Sequence, residues 1–150
     1  MPGAAYTRVD LNPLLEHTSD LYNEPGRTTV RFLLNDETLA VMGDKDQLLR
    51  IFSNLVKNAV QAIPDSRKGE ITLKLERSDN HVLIHVTDNG DGIPKNQINN
   101  IFVPNFTTKS SGTGLGLAMV RNMTEGMQGK VWFETEEGKG TVFHLSFPLA

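Results

Sequence analysis

From Leu48 to Ile63 the apolar residues recur at helical spacing over a wide stripe. Leu48, Phe52, Leu55, Ala59 and Ile63 share one side, and Ile51, Val56 and Val60 broaden it. Such a helix must bury that side against another layer, which limits the fold to packed two- or three-layer arrangements. Asp44 and Gln47 have the spacing of a capping box at its start, and Pro64-Asp65 closes it. On the amino-terminal side, Met1 to Val9 reads as a tail, and Asn12-Pro13 reads as a helix start. Leu14, Leu15, Thr18, Leu21 and Tyr22 then share a helical face up to Pro25-Gly26. Val30, Phe32 and Leu34 alternate as a strand, with Leu39 to Met42 as a short partner strand. On the carboxyl side, Ile71, Leu73 and Leu75 alternate, then Val82, Ile84 and Val86, around a turn at Ser78-Asp79-Asn80. A polar, glycine-rich stretch runs from Asp88 to Gly116, with a short helical piece near Gln97 to Ile101. Leu117 to Met127 reads as a helix, and Val131 to Glu136 with Val142 to Phe147 as a last hairpin. This order predicts an α+β fold: one mixed sheet with helices on one face.

A chain of 150 residues is the size of one domain with one core. A net charge of −3 without a Lys/Arg stripe argues against nucleic acid as a partner. The absence of cysteine excludes a disulfide framework and a thiolate zinc site, and it fits a reducing cytosol. No apolar run approaches the roughly 20 residues of a membrane span, and no signal-peptide pattern opens the chain. A cytoplasmic domain without direct membrane contact is expected. No apolar stripe is left over for a partner, so the chain is expected to be monomeric.

Four segments carry chemistry. Asn54 and Asn58 lie four apart on one helix face beside the apolar stripe; they are either solvated helix residues or amide oxygens offered to a hard cation such as Mg²⁺. Asp88-Asn89-Gly90-Asp91-Gly92-Ile93-Pro94 follows a strand directly. It is either a hairpin turn, or a carboxylate at a strand end that accepts from an exocyclic amine, with Gly90 and Gly92 letting backbone approach a ring. Ile101-Phe102 and Phe106-Thr107-Thr108-Lys109 form either a loop with aromatic anchors or the hinge of a lid with Lys109 available to phosphate. Gly112-Thr113-Gly114-Leu115-Gly116 enters a helix, as a linker or as a cradle of N–H groups for phosphate. It is neither a P-loop, because no Gly-Lys-Ser/Thr follows, nor a dinucleotide fingerprint, because no strand leads into it.

In this order the four segments resemble the N box, first glycine box, F box and second glycine box of the GHKL superfamily. That superfamily has the Bergerat ATP-binding fold, and the likeness is to the catalytic domain of sensor histidine kinases. It runs from about Asp44 to Pro148. Phe-Thr-Thr-Lys and Asn-Ala-Val-Gln-Ala resemble the nitrogen-regulation type in particular. The resemblance implies a two-layer sandwich: a mixed five-stranded sheet with about three helices on one face. The F box and ATP lid would fall at 102–116. It further implies ATP and Mg²⁺, with Asn58 as metal ligand and Asn54 as a supporting polar group near the phosphates. Asp88 would bind the adenine amine, Gly92 would pack against the base, and Gly90 and Ile93 would complete that loop. Gly112, Thr113, Gly114, Leu115 and Gly116 would cradle the phosphates, with Phe106 and Lys109 at the lid. Thr141 matches a threonine that helps to hold Asp88 and a water at the adenine. Gln61 stands where many histidine kinases carry Lys or Arg, and Asn105 where an aromatic residue is frequent.

Superfamily members that hydrolyse ATP resemble one another in carrying Glu at the position of Asn54. An amide cannot act as a base, so transfer of the γ-phosphoryl to another acceptor is expected. None of His17, His81, His85 and His144 has the surroundings of a phosphoacceptor. The acceptor histidine is therefore expected on a dimerisation domain outside this chain, with a response regulator downstream. Autophosphorylation is not expected from this chain alone. Two other classes stay open: an anti-sigma-factor-like serine kinase on the same fold, and a nucleotide-binding module that transfers nothing.

Overall fold

The computed structural model describes residues 6–33, 36–104 and 116–150. Its elements are β1 (Thr7–Asp10), α1 (Leu11–Tyr22), β2 (Thr28–Leu33), β3 (Ala40–Gly43), α2 (Lys45–Ala62), β4 (Gly69–Ser78), β5 (His81–Asp88), α3 (Gly116–Gly126), β6 (Lys130–Glu136) and β7 (Gly140–Pro148). Among the described residues, a 3-10 turn at Ile98–Asn100 lies in the long connection after β5.

Five strands form one mixed sheet in the order β2-β4-β5-β7-β6, in which β2 and β4 run parallel and the other pairs antiparallel. Period-2 alternation puts Ile71, Leu73, Leu75, Val82, Ile84, Val86, Phe143, Leu145 and Phe147 on the buried face. The α2 stripe lies in the same core, with Leu48, Ile51, Phe52, Leu55, Val56 and Ala59 at most 1% exposed. Burying a side chain of this size stabilises the fold by about 1.5–3 kcal/mol, so this stripe is the main reason α2 sits where it does. Asp44 caps α2 by accepting from the N–H groups of Asp46 (2.9 Å) and Gln47 (3.4 Å). The sheet and three helices are the α+β sandwich the sequence predicts.

The open face of the sheet carries a polar ladder. His85 and His144 stand opposite each other on β5 and β7 with Nδ1 atoms 2.7 Å apart. The Nε2 of His85 meets Glu76 and that of His144 meets Glu134, while Trp132 stacks on His144. These two histidines are half-buried members of a side-chain ladder.

Three expectations are corrected. Residues 7–9 are not tail: Thr7 to Asp10 pair antiparallel with Gly43 to Ala40 as a separate two-stranded sheet. The strand after Leu39 therefore partners β1 and not β2, which instead lies parallel to β4. Ala40 and Val41 are both buried, so β3 lacks the alternation of a half-exposed strand, and a Cβ on Gly43 would lie 2.6 Å from Met127 Sδ. Finally, Asn12 does not open α1. The helix begins at Leu11, and the Asn12 amide accepts from Leu39 N–H (3.1 Å) and donates to the Glu37 carbonyl (3.3 Å), tying the loop before β3 to the helix.

Candidate nucleotide site

Asp88 is the last residue of β5, a strand with neighbours on both sides, and is 7% exposed. Its Oδ1 accepts two backbone bonds, from Gly90 N–H (2.8 Å) and Thr141 N–H (3.2 Å). A buried carboxylate needs such donors, and here they fix its position. The first donor comes from the loop after β5 and the second from the start of β7. A carboxylate held in this way is a fixed acceptor, the property required to read an exocyclic amine.

The loop from Asp88 to Ile93 is not a hairpin turn. It runs between the carboxyl end of α2 and the β6–β7 turn. Asp91 N–H donates to the Ala62 carbonyl (3.1 Å), and Gly138 N–H donates to the Asp91 carbonyl (2.7 Å). A Cβ on Gly90 would meet the Ala62 carbonyl at 2.7 Å. Gly92 has φ +76°, and a Cβ there would collide with the Glu136 carbonyl. Both glycines are thus required by close approach to the protein's own backbone. Ile93 N–H donates to Thr135 Oγ1 (2.9 Å), and the Thr135 and Thr141 hydroxyls lie 2.8 Å apart, where either can donate. Thr141 therefore reaches Asp88 through its backbone, while its hydroxyl belongs to a threonine pair.

Asn54 and Asn58 are half-buried on α2, one turn apart. Asn54 Nδ2 donates to the Arg50 carbonyl (2.9 Å), and its Oδ1 lies 3.2 Å from where a Cβ on Gly116 would stand. Asn54 is thereby brought to the first residue of α3. The same helix ends on the Asp88 loop through Ala62. At 1.5 Å per residue, Asn58 lies about 6 Å and Asn54 about 12 Å along α2 from that end. The two amides and the carboxylate are thus strung along one rigid helix. Phe106, Lys109, Gly112, Thr113, Gly114 and Leu115 lie outside the described residues; Phe102, at the start of the expected lid, packs on Phe133 and Phe143.

Three site residues escape the sequence reading. Thr135 continues the inward phase of Val131 and Phe133 on β6 and faces Thr141 across the ladder. A threonine in an apolar phase, opposite another threonine, was the available signal. Asn89 accepts from Glu70 N–H (2.8 Å) and donates to the Lys68 carbonyl (2.9 Å), anchoring the loop to the start of β4. Arg67 donates to the Asn89 carbonyl (2.7 Å), the Gly90 carbonyl (3.2 Å) and the Asp91 carboxylate (3.0 Å). Arg67 sits between Ser66 and Lys68 in a polar turn, where no pattern separates it from a solvated cation.

Residues 43–150 match the family model described as histidine kinase-, DNA gyrase B-, and HSP90-like ATPase. Sensor histidine kinase ZraS of Escherichia coli (strain K12) is 40% identical over 148 residues, covering 97% of this chain and 31% of ZraS. Sporulation kinase E of Bacillus subtilis (strain 168) is 35% identical over 147 residues, covering 96% of this chain and 20% of the relative. The chain thus spans a third or less of these relatives' length. They do not support the narrower likeness to the nitrogen-regulation type. The catalytic domain of histidine kinase ThkA, in a nucleotide-free form, superposes with a TM-score of 0.80 at 31% identity over 95% of both chains. The chain belongs to the histidine kinase-, DNA gyrase B- and HSP90-like ATPase family, as an ATP-binding catalytic domain of the sensor-histidine-kinase type.

Proposed function

We propose that this domain binds Mg-ATP with Asp88 as the reader of adenine, and that it transfers the γ-phosphoryl to a histidine on a separate dimerisation domain. The observation that carries the reading is the Asp88 carboxylate, fixed by the N–H groups of Gly90 and Thr141 at the end of β5. An adenine amine donates to a carboxylate, whereas the carbonyl at the same place on guanine would be repelled. Asn58 offers a hard amide oxygen to Mg²⁺. One such ligand suits an ion that keeps waters and takes most other ligands from phosphates. The metal, when bound, neutralises charge on the phosphates. Lys109 and the glycines from Gly112 to Gly116 supply the remaining phosphate contacts in this reading.

Asn54 decides between hydrolysis and transfer. Its Nδ2 is engaged with the Arg50 carbonyl, and an amide has no proton-accepting step to offer water. Slow hydrolysis leaves ATP available to an acceptor brought in by another domain. Incubation with γ-labelled Mg-ATP and a histidine-bearing dimerisation domain added in trans tests this directly. The reading predicts acid-labile label on the acceptor's histidine. Acid-stable label on serine would point to the anti-sigma-factor-like class, and binding without label on any acceptor would point to a regulatory nucleotide module.

A further inference from the structure

The strongest unassigned feature of the site is the way one guanidinium grips the loop that carries Asp88. The peptide joining Asn89 to Gly90 has its carbonyl on Arg67 Nη1 (2.7 Å) and its N–H on Asp88 Oδ1 (2.8 Å). The next peptide has its carbonyl 3.2 Å from the same Nη1 and its N–H on the Ala62 carbonyl (3.1 Å). In a planar trans peptide the C=O and N–H point in opposite directions. A donor that holds both carbonyls on the outside of the loop therefore aims both N–H groups inward, one at the reading carboxylate and one at the end of α2. Charge assistance makes these bonds stronger than neutral ones, and the Asp91 carboxylate, 3.0 Å from Nη2, holds the other end of the fork.

We propose that Arg67 is a positioning residue for nucleotide recognition, acting through two peptide planes to set the orientation of Asp88. This rests on the reading of Asp88 as the adenine contact. Without Arg67 each of these peptides is held through its N–H but no longer through its carbonyl; rotation of the first would turn a carbonyl toward the Asp88 carboxylate, which repels it. Arg67 is exposed over 36% of its side chain and is not among the residues of the apolar core, so its removal leaves the main packing intact. The loop's other anchors are Asn89 at its start, the Ala62 carbonyl on Asp91 N–H, Gly138 N–H on the Asp91 carbonyl and Thr135 on Ile93 N–H, and none of these holds the Asn89 or Gly90 carbonyl.

The test compares Arg67→Met, which keeps the stem and removes the donors, with Arg67→Lys, which keeps one charged donor. Titration calorimetry with Mg-ATP and Mg-GTP gives affinities at a temperature where each variant is folded by circular dichroism. NMR gives amide exchange at Gly90 and Asp91. Loss of two or three such bonds predicts about a tenfold weaker Kd for ATP in Arg67→Met, at the size of one to two net hydrogen bonds. The GTP affinity should change little, the Gly90 and Asp91 amides should exchange faster while β4 and β5 amides do not, and Arg67→Lys should recover part of the loss. Unchanged ATP preference in Arg67→Met, or exchange that accelerates uniformly over the sheet, would overturn the proposal and leave Arg67 a surface brace. A wild-type protein that does not prefer ATP would instead remove the adenine reading, and this inference with it. If Arg67→Met does not fold, the Lys variant with its exchange rates decides alone.

Discussion

The sheet has two antiparallel hairpins whose turns do the same local job and carry very different loads. The β4–β5 turn reverses the chain through Asp79 at φ 53° and Asn80, and the described bonds there are local ones and a tether: Arg77 Nε donates to the Asp79 carbonyl (3.2 Å), and Leu149 N–H to the Asn80 carbonyl (2.8 Å). The β6–β7 turn is a wall of the proposed nucleotide site. Gly138 N–H holds the Asp91 carbonyl, the Glu137 carboxylate accepts from Lys95 N–H (3.0 Å), and Gly140 lies directly over the Asp88 backbone. Within the β6–β7 turn Gly138 serves chain reversal and Gly140 serves close approach, and only the second is expected to bear on nucleotide binding.

The largest effect that would sharpen this contrast is expected at Gly140. At φ +143° any side chain is strained, and a Cβ would collide with the Asp88 carbonyl oxygen, which is backbone and cannot swing aside. Gly140→Ala should cost about 1–3 kcal/mol from overpacking and strain and weaken ATP by tenfold or more. Melting curves and calorimetric titration measure the two effects. Wild-type affinity in this variant would break the claim that the turn is part of the site. Thr135→Val comes next. It keeps the shape and removes the hydroxyl that receives Ile93 N–H and meets Thr141. A loss of about 1–2 kcal/mol is expected for the orphaned groups, seen as a lower Tm and a several-fold weaker Kd for ATP.

Gly138→Ala separates geometry from contact within the same turn. Gly138 has φ +82° and no atom within 4 Å of its would-be Cβ. The cost should be the left-handed conformation alone, about 1–2 kcal/mol, with ATP affinity unchanged. The smallest effect belongs to the other hairpin. Asp79→Gly relieves a left-handed non-glycine residue and adds unfolded-state freedom, terms that offset each other to within about 1 kcal/mol. Nucleotide affinity should not move. A change in Kd from Asp79→Gly would show that the two turns are coupled and end the distinction between them.

Much of this was legible in the sequence for physical reasons. The α2 stripe, the two hairpins and the α3 helix have strong periods, and burial of one face enforces those periods. Asp88 could be placed because a carboxylate ends an apolar strand just before two glycines. What failed was pairing between segments far apart. Thr7 to Asp10 contributes one buried apolar residue, Val9, and becomes a strand only because β3 offers its edge. Asn12 looked like a helix start because its local options are the same as those of a tether across 25 residues. Gly90 and Gly92 stand out in the sequence as points of close backbone approach, yet the atoms their missing side chains spare belong to Ala62 and Glu136. Arg67 left no trace, because a surface cation that grips carbonyls and one that faces water are identical in sequence.

Whether Asp88 reads adenine is answered by calorimetric titration of the wild-type protein and Asp88→Asn with Mg-ATP, and with Mg-GTP as control. An amide in place of the carboxylate has one acceptor oxygen and one NH₂ group. Seating it against Gly90 and Thr141, or turning it toward the amine, sets donor against donor in one place or the other. The wild-type protein should prefer ATP, and Asp88→Asn should lose about 1–3 kcal/mol of ATP affinity, roughly tenfold or more, while remaining folded. Equal binding of ATP and GTP by the wild-type protein, or an unchanged ATP affinity in Asp88→Asn, would contradict that reading of Asp88.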